Sequence, residues 1–335
     1  MKLGLRTPWI ASIGLLFALM ITLMKGVQTG SYDFTLPQIW EGLQDTDSNI
    51  YFVVTRLRLP RLFLAFFTGV VLTTGGFFMQ ALIKNPLADP YIMGLTAGSG
   101  FGVNLVILGL IPVGITALSY PLAAGVGGIL SLLLVMLLGF RSFYEDNARL
   151  LIAGVAVSSI FTALTGFLIF RYAEQNEVQQ MVFWAFGSFS RANEPAVWIS
   201  GTMALIAGIF MFVLGNRLDL LLLGDLSART VGLNVVSLRW MLLLVTSLTV
   251  GGTVAFTGPI GFVGMMVPHV VRAWLGGRHR PVVIPACLLG GTFLCMCDIG
   301  SRHLLPPHGL PIGIVTAILG VPFFLYVLFS KQSFL

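Results

Sequence analysis

Residues 60–81 read PRLFLAFFTGVVLTTGGFFMQA, and the polar stretch KNPLADP follows at positions 84–90. The first stretch is nearly all apolar and is long enough to cross a bilayer, which takes about 20 residues in an α-helix. Polar, proline-broken backbone is costly in hydrocarbon and is tolerated only against protein, water or a partner. The alternation of long apolar stretches with short polar inserts therefore decides the fold class.

The same alternation continues along all 335 residues. The chain is 56% hydrophobic and 10% charged, with a mean hydropathy of +0.93. These values predict an all-α polytopic membrane protein, a single transmembrane domain over residues 1–335 whose helices pack through small residues such as its 39 glycines. About ten transmembrane helices are expected, at roughly 8–28, 60–81, 91–110, 115–139, 148–170, 196–215, 236–256, 260–274, 281–298 and 310–329.

The distribution of charge predicts the orientation. With the N-terminus in the cytoplasm, 12 of the 19 Lys and Arg residues fall on the cytoplasmic side and 7 on the other. Because Lys and Arg accumulate in cytoplasmic loops, the count favours two cytoplasmic termini and an even number of spans. The formal net charge of +6 then reflects membrane topology and does not indicate a nucleic-acid partner.

The spans lack the side chains of several chemistries. An ion-coupled carrier usually has acidic residues within its spans, whereas here Asp298 is the deepest candidate, and it is expected to pair with Arg302 one turn away. No phosphate-binding loop of the GxxxxGK[ST] type is present. Cys287, Cys295 and Cys297 share one apolar stretch without a nearby His, which predicts buried thiols and no metal site. With these chemistries excluded, the remaining possibility is a pore whose energy comes from outside this chain.

The segment at about 217–234 is a candidate contact site for the partner that would supply this energy. Gly224 and Gly232 bracket a short helix-prone stretch between two apolar spans. A rigid helix that protrudes from a pore could be pushed by a partner. The alternative is an ordinary amphipathic loop helix at the membrane surface.

A second cluster lies on the opposite side, where Arg56, Arg58 and Arg61 crowd the start of the second span. Three cations within six residues repel one another unless anionic groups meet them. They could form a solvated helix end facing lipid head groups, or a docking site for carboxylates of a partner.

Several short motifs, in order and at plausible spacing over roughly residues 50–330, resemble those of the FecCD-type permeases. These are the membrane subunits of ABC importers for iron–siderophore complexes, haem and vitamin B12. The motifs are RLPR at 58–61, NPLADP at 85–90, GDLSARTVG at 224–232, GPIGFVG at 258–264 and LPIG at 310–313. Each is weak alone, and the ordered set is specific.

The resemblance implies a fold like that of the vitamin B12 permease, paired with a second permease copy or a close paralogue around a translocation pathway. It also implies two cytoplasmic ATPase subunits and an extracytoplasmic substrate-binding protein as partners, in a bacterial cytoplasmic (inner) membrane. The chain itself would be no enzyme and bind no cofactor, with ATP and Mg on the partner ATPase.

The resemblance also assigns roles to residues. Those expected to dock the binding protein are Arg58, Arg61 and Arg302. Those expected to couple to the ATPase are Gly224, Asp225, Ala228, Arg229 and Gly232. Those expected at the cytoplasmic gate are Asn85 and Leu87.

The substrate is less determined than the family. A ferric siderophore is expected because such cargo is common among these permeases, with haem, cobalamin or an oxyanion as alternatives. An ion-coupled secondary carrier and a membrane scaffold are more remote possibilities. The first would need paired acids in the spans, and the second would need neither the outer arginines nor the segment at 217–234.

Overall fold

The computed structural model describes residues 7–30, 32–111, 119–139, 147–304 and 309–329, and these residues form helices and connecting loops without a β-strand. The helices are α1 (Thr7–Gln28), α2 (Leu36–Gln44), α3 (Asn49–Phe52), α4 (Leu59–Ile83), α5 (Leu95–Ile107), α6 (Ser119–Gly139), α7 (Asn147–Tyr172), α8 (Gln175–Ala185), α9 (Glu194–Leu222), α10 (Asp225–Thr230), α11 (Val235–Thr257), α12 (Val263–Leu275), α13 (Val283–Leu304) and α14 (Ile312–Phe329). The all-α fold is confirmed.

Each of the ten predicted spans overlaps one apolar helix. Among the described residues, seven helices are long and apolar enough to cross a membrane, and α5, α12 and α14 are shorter apolar helices. Helix α5 is shorter than the span predicted at roughly 91–110. Gly94 adopts φ 78° there and separates a 3₁₀ turn, Pro90–Met93, from α5. Hydropathy does not detect this break, because it registers side chains and not backbone dihedrals. Residues 115–118 of the fourth predicted span lie outside the described residues.

The second span begins earlier than predicted. Helical backbone starts at Asn49 and continues through a π-helical stretch, Val53–Arg58, into α4. A π-helical insertion shifts the faces of a helix relative to the turns before it. The connection between α1 and α4 is therefore mostly helical.

Helix α4 forms the centre of the bundle, and nearly all of it is buried against α9, α11, α12 and α13. Two pairs of glycines allow the closest approaches. A Cβ on Gly69 would overlap the carbonyl oxygen of Gly290, and one on Gly76 would overlap that of Gly264. Small residues at crossings let membrane helices pack backbone to backbone, so these glycines set the positions of α12 and α13.

The bundle has two ends. We define the coupling end by the C-terminal ends of α4, α9 and α12 together with α10, and the arginine end by Arg61, Asp298 and Arg302. Helix α1 reaches the arginine end at Gly26, and α14 starts there, where the N–H of Gly313 donates to Phe186 O. Both helices run from there toward the coupling end, so the outer ends of α1 and α14 lie on the same side of the bundle.

Candidate functional site

The segment predicted at 217–234 contains a short helix at the coupling end. Helix α10 begins directly after Gly224, which has φ 107°, and ends shortly before Gly232, which has φ 86°. Positive φ strains any residue with a Cβ, so both glycines stop the neighbouring helical backbone. The prediction that these two glycines bracket a helix is confirmed.

Two of the residues predicted to couple to an ATPase face the body of the protein. Asp225 accepts from Lys84 Nζ at 2.7 Å and from Arg239 at 2.7 Å, and Ala228 is fully buried. Burial alone would raise the pKa of the Asp225 carboxyl, but Lys84, Arg239 and Arg229 together hold that pKa below its usual range. Asp225 is therefore charged at neutral pH and fastens α10 to the ends of α4 and α11.

The other side of this segment faces outward. Leu226 is 81% exposed, and Leu223 and Val231 are also exposed. Arg229 is exposed beside them. Apolar patches that a protein leaves exposed outside the bilayer often mark sites of protein–protein contact. The geometry thus divides the segment into an inner face that anchors it and an outer face that a partner could contact.

The predicted gate residues occupy the turn after α4. Lys84 ends that helix with φ 55°. The side chain of Asn85 then accepts from the N–H of Leu87 at 2.9 Å, which is the geometry of an Asx turn. Leu87 is 37% exposed. The turn joins Lys84, and through it Asp225, to the start of the next transmembrane segment, and a gating role for Asn85 and Leu87 stays a prediction.

Asp89 is buried at the end of the same turn, and its sequence position had predicted no role for it. Its Oδ1 accepts from the N–H of Tyr91 at 2.9 Å, while its Oδ2 is buried without a hydrogen-bond partner. Burial raises the pKa of the Asp89 carboxyl to about 6. The position directly before Pro90 identifies a helix N-cap, but the sequence gives no sign that the second oxygen lacks a partner.

Replacing Asp89 with Asn is expected to stabilise the protein by about 3 kcal/mol near neutral pH. The unfolded carboxyl ionises near pH 3.9 and the folded one near pH 6, so ionisation favours unfolding as pH rises between those values. The gain should therefore be complete above about pH 6 and absent near pH 4. Thermal unfolding of the detergent-solubilised chain at both pH values measures it.

The exposed Asp47→Asn variant serves as the control and should show little change at either pH. If Asp89→Asn instead destabilises the protein at neutral pH, the native carboxyl is charged and has a partner.

The arginine end contains a buried ion triad. The Asp298 side chain is fully buried; its Oδ1 accepts from Arg61 Nε at 2.8 Å, and its Oδ2 accepts from Arg302 Nε at 2.9 Å. The predicted pairing of Asp298 with Arg302 is confirmed, and Arg61 on α4 completes the set. Arg302 also donates to the carbonyl oxygens of Gly26 and Thr29. One carboxylate therefore joins α4 and α13, and Arg302 ties α1 to them.

Arg58 is more enclosed than its predicted role in docking suggests. It is only 6% exposed, and its guanidinium donates to the carbonyl oxygens of Val27, Gln28 and Tyr32. It also lies 4.5 Å from the ring centroid of Phe34. Arg58 thus holds the connection between α1 and α2, whereas Arg61 is partly exposed at 20%. Docking through Arg58, Arg61 and Arg302 stays a prediction.

A cavity of about 370 Å³ opens beside Arg61 at the arginine end. Its wall includes Arg191, whose guanidinium lies 5.1 Å from the ring centroid of Tyr120, and the aromatic ring of Trp184. Trp184 belongs to the short helix α8. Two cations and aromatic faces suit a ligand with negative charge and flat apolar groups. Among the described residues, no cluster of three or more His, Cys, Asp or Glu could hold a metal ion.

Comparisons with known proteins agree with this arrangement. Residues 14–330 match the FecCD transport family. The chain is 36% identical to the Fe(3+) dicitrate transport system permease protein FecD of Escherichia coli K12, over 83% of this chain and 85% of that protein. It is 30% identical to the hemin transport system permease protein HmuU of Yersinia pestis, over 96% of both chains.

The fold also matches a solved structure described as a metal-chelate type ABC transporter in an inward-facing conformation. The TM-score is 0.85 at 30% identity, covering 96% of this chain and 99% of that one. A family match over nearly the whole length, together with a shared fold, leaves no large part of the chain unaccounted for. The chain belongs to the FecCD transport family and is a multi-pass permease of the ABC-importer type.

Proposed function

We propose that this chain forms the translocation pathway of a binding-protein-dependent ABC importer and is driven by separate ATPase subunits. The observation that carries the proposal is the two-faced segment at the coupling end. Its outer face presents Leu226 and Arg229, and its inner face is fixed by Asp225. ATP and Mg would bind the partner ATPases, so this chain would hydrolyse nothing itself.

The ion pairs of Asp225 could transmit a movement of the ATPase subunits to the transmembrane helices. A displacement of α10 by a partner would act on α4 through Lys84 and on α11 through Arg239, because both cations bond to the same carboxylate. Helix α4 is the buried centre of the bundle, so its movement would carry its neighbours. Such rigid-body shifts of packed helices are a common form of switching between two states.

Helix α7 supplies a surface for a second permease copy or a close paralogue. Its exposed residues Ala156, Ser159, Ala163 and Gly166 are spaced three or four apart and so share one face. Small residues at this spacing let a helix of another subunit approach closely. We place the translocation pathway at this dimer interface.

The arginine end would face outward and receive the substrate-binding protein. Among the three arginines assigned to docking, Arg61 is the most accessible, and its bond to Asp298 leaves guanidinium N–H groups for a partner carboxylate. Arg58 and Arg302 would support that surface by holding α1 in place. The location would be the cytoplasmic (inner) membrane of a bacterium, with both termini in the cytoplasm, in keeping with the charge count and with α1 and α14 reaching the same side.

The proposed cargo is a metal chelate of the ferric siderophore class. Support comes from the names of the relatives, which concern iron dicitrate and hemin, and from the cavity with Arg61 and Arg191 near aromatic rings. Both cations suit an anionic chelate. Haem, cobalamin or an oxyanion is the alternative cargo of the same family.

Intact-mass measurement of the complex, extracted from native membranes with a mild detergent, tests the proposal. We expect two copies of this chain, or one with a close paralogue, bound to two ATPase subunits. In the same preparation, Arg61→Ala should weaken retention of the binding protein and leave the ATPases bound. A chain that is reproducibly free of any ATPase in several mild detergents would contradict the proposal.

A further inference from the structure

A second cavity, of about 570 Å³, lies at the coupling end between the C-terminal ends of α4, α9 and α12. Gln80, Lys84, His269, Arg272 and His279 line it, and none of its described lining residues is Asp or Glu. A concave space with several basic groups and no acid has a positive potential that concentrates anions. The predicted gate turn borders the same space.

Arg272 indicates that this cavity lacks an occupant. Its guanidinium donates to Gln80 Oε1 and lies 5.3 Å from the ring centroid of Phe77. Gln80 is itself fixed by a hydrogen bond to the carbonyl oxygen of Gly264 at 3.1 Å. Among the described residues no carboxylate forms an ion pair with Arg272. A half-buried cation without a counter-charge is costly, and an anion in the adjacent cavity would remove that cost.

His279 borders the same cavity, beside the end of α9. It is completely buried, and its backbone N–H and its Nδ1 both meet the same oxygen of Asp219, at 3.0 Å and 2.6 Å. Asp219 therefore orients the ring and favours a proton on Nδ1. The other ring nitrogen, Nε2, is buried and has no hydrogen-bond partner.

We propose that this cavity binds a small oxyanion of the phosphate class, held by Arg272 with Lys84 at its edge. An oxyanion offers several acceptor oxygens to a guanidinium, which can bind two of them at once. Lys84 also bonds to Asp225, so an occupant would compete with the carboxylate that fastens α10 to α4. Anion binding would thus loosen the segment that a partner contacts. The proposal requires no particular cargo.

Binding of inorganic phosphate to the full chain in phosphatidylcholine nanodiscs tests this site, with thermal stability as the readout. We expect a saturable stabilisation by phosphate over the millimolar range that chloride does not produce. Arg272→Gln should weaken the apparent affinity at least about tenfold, the usual effect of losing a hydrogen bond to a charged group. Arg171→Gln, an exposed arginine at the opposite end, is the matched control and should bind as the wild type does.

Two further arms keep the test decisive. If Arg272→Gln fails to fold, Arg272→Lys and Lys84→Gln should each show weakened binding. Nanodiscs with phosphatidylglycerol separate the two sources of the anion: a lipid head group in the site would abolish the response to phosphate in those discs only. No saturable response in phosphatidylcholine discs, or equal affinity in the wild type and the Arg272 and Lys84 variants, would overturn the proposal.

Discussion

Replacing Asp298 with Ala is expected to destabilise the protein by about 3–5 kcal/mol. The change removes the only carboxylate of the described ion triad and leaves Arg61 and Arg302 facing each other, with side chains that are 20% and 9% exposed. Two cations that have lost their counter-charge in a poorly hydrated site repel, and neither can be rehydrated fully. Denaturant or thermal unfolding of the chain in a mild detergent measures the loss.

Two comparisons interpret that result. Asp298→Asn keeps the shape and one acceptor oxygen and should cost less than Asp298→Ala. Glu194→Ala removes the partner of Arg56 in an ion pair whose side chains are 59% and 64% exposed, and should cost less than about 1 kcal/mol. If Asp298→Ala and Glu194→Ala are equally mild, the triad is not what joins α4 to α13.

Replacing Leu226 with Glu is expected to release the ATPase subunits while leaving the permease folded. Leu226 is 81% exposed on the outer face of the segment at the coupling end, so its side chain contributes nothing to the core. A charge placed in the apolar centre of an interface typically costs 2 kcal/mol or more, which corresponds to about a thirtyfold loss of affinity. Co-purification of the ATPases with the tagged permease measures the loss, and uptake should fall with it.

Leu304→Glu is the matched control. It makes the same Leu-to-Glu change at an exposed position, but at the arginine end. It should retain the ATPases. Leu226→Met keeps the apolar volume and should also retain them. Undiminished co-purification with Leu226→Glu would show that the ATPase contacts another surface.

Prediction from sequence succeeded where a property depends on neighbours in the chain. The apolar stretches are local, and each of the ten overlaps a helix. Asp298 and Arg302 can pair because they are one helical turn apart. The positions of Gly224 and Gly232 predict the ends of a short helix between them. The break at Gly94 was missed because a positive φ leaves no mark in hydropathy. The full length of α9 to Leu222 was missed because its last turns are less apolar.

Contacts between residues far apart in the sequence could not be predicted from local sequence patterns. Arg61 reaches Asp298 across 237 positions, Lys84 reaches Asp225 across 141, and Asp219 reaches His279 across 60. Each pair requires that two particular helices lie side by side at one height. That choice depends on surfaces such as the glycine contact between α4 and α12, which no single segment contains.

The sequence by itself determined a membrane-spanning helical protein and its family resemblance, because hydropathy and motif order are properties of the linear chain. Only the tertiary structure decided that Arg58 is enclosed while Arg61 is accessible, that Asp225 faces inward while Leu226 faces out, and that four basic residues border one cavity. The physical reason is that burial and the pairing of charges depend on which helices pack together, and packing is settled by the fit of whole helix faces.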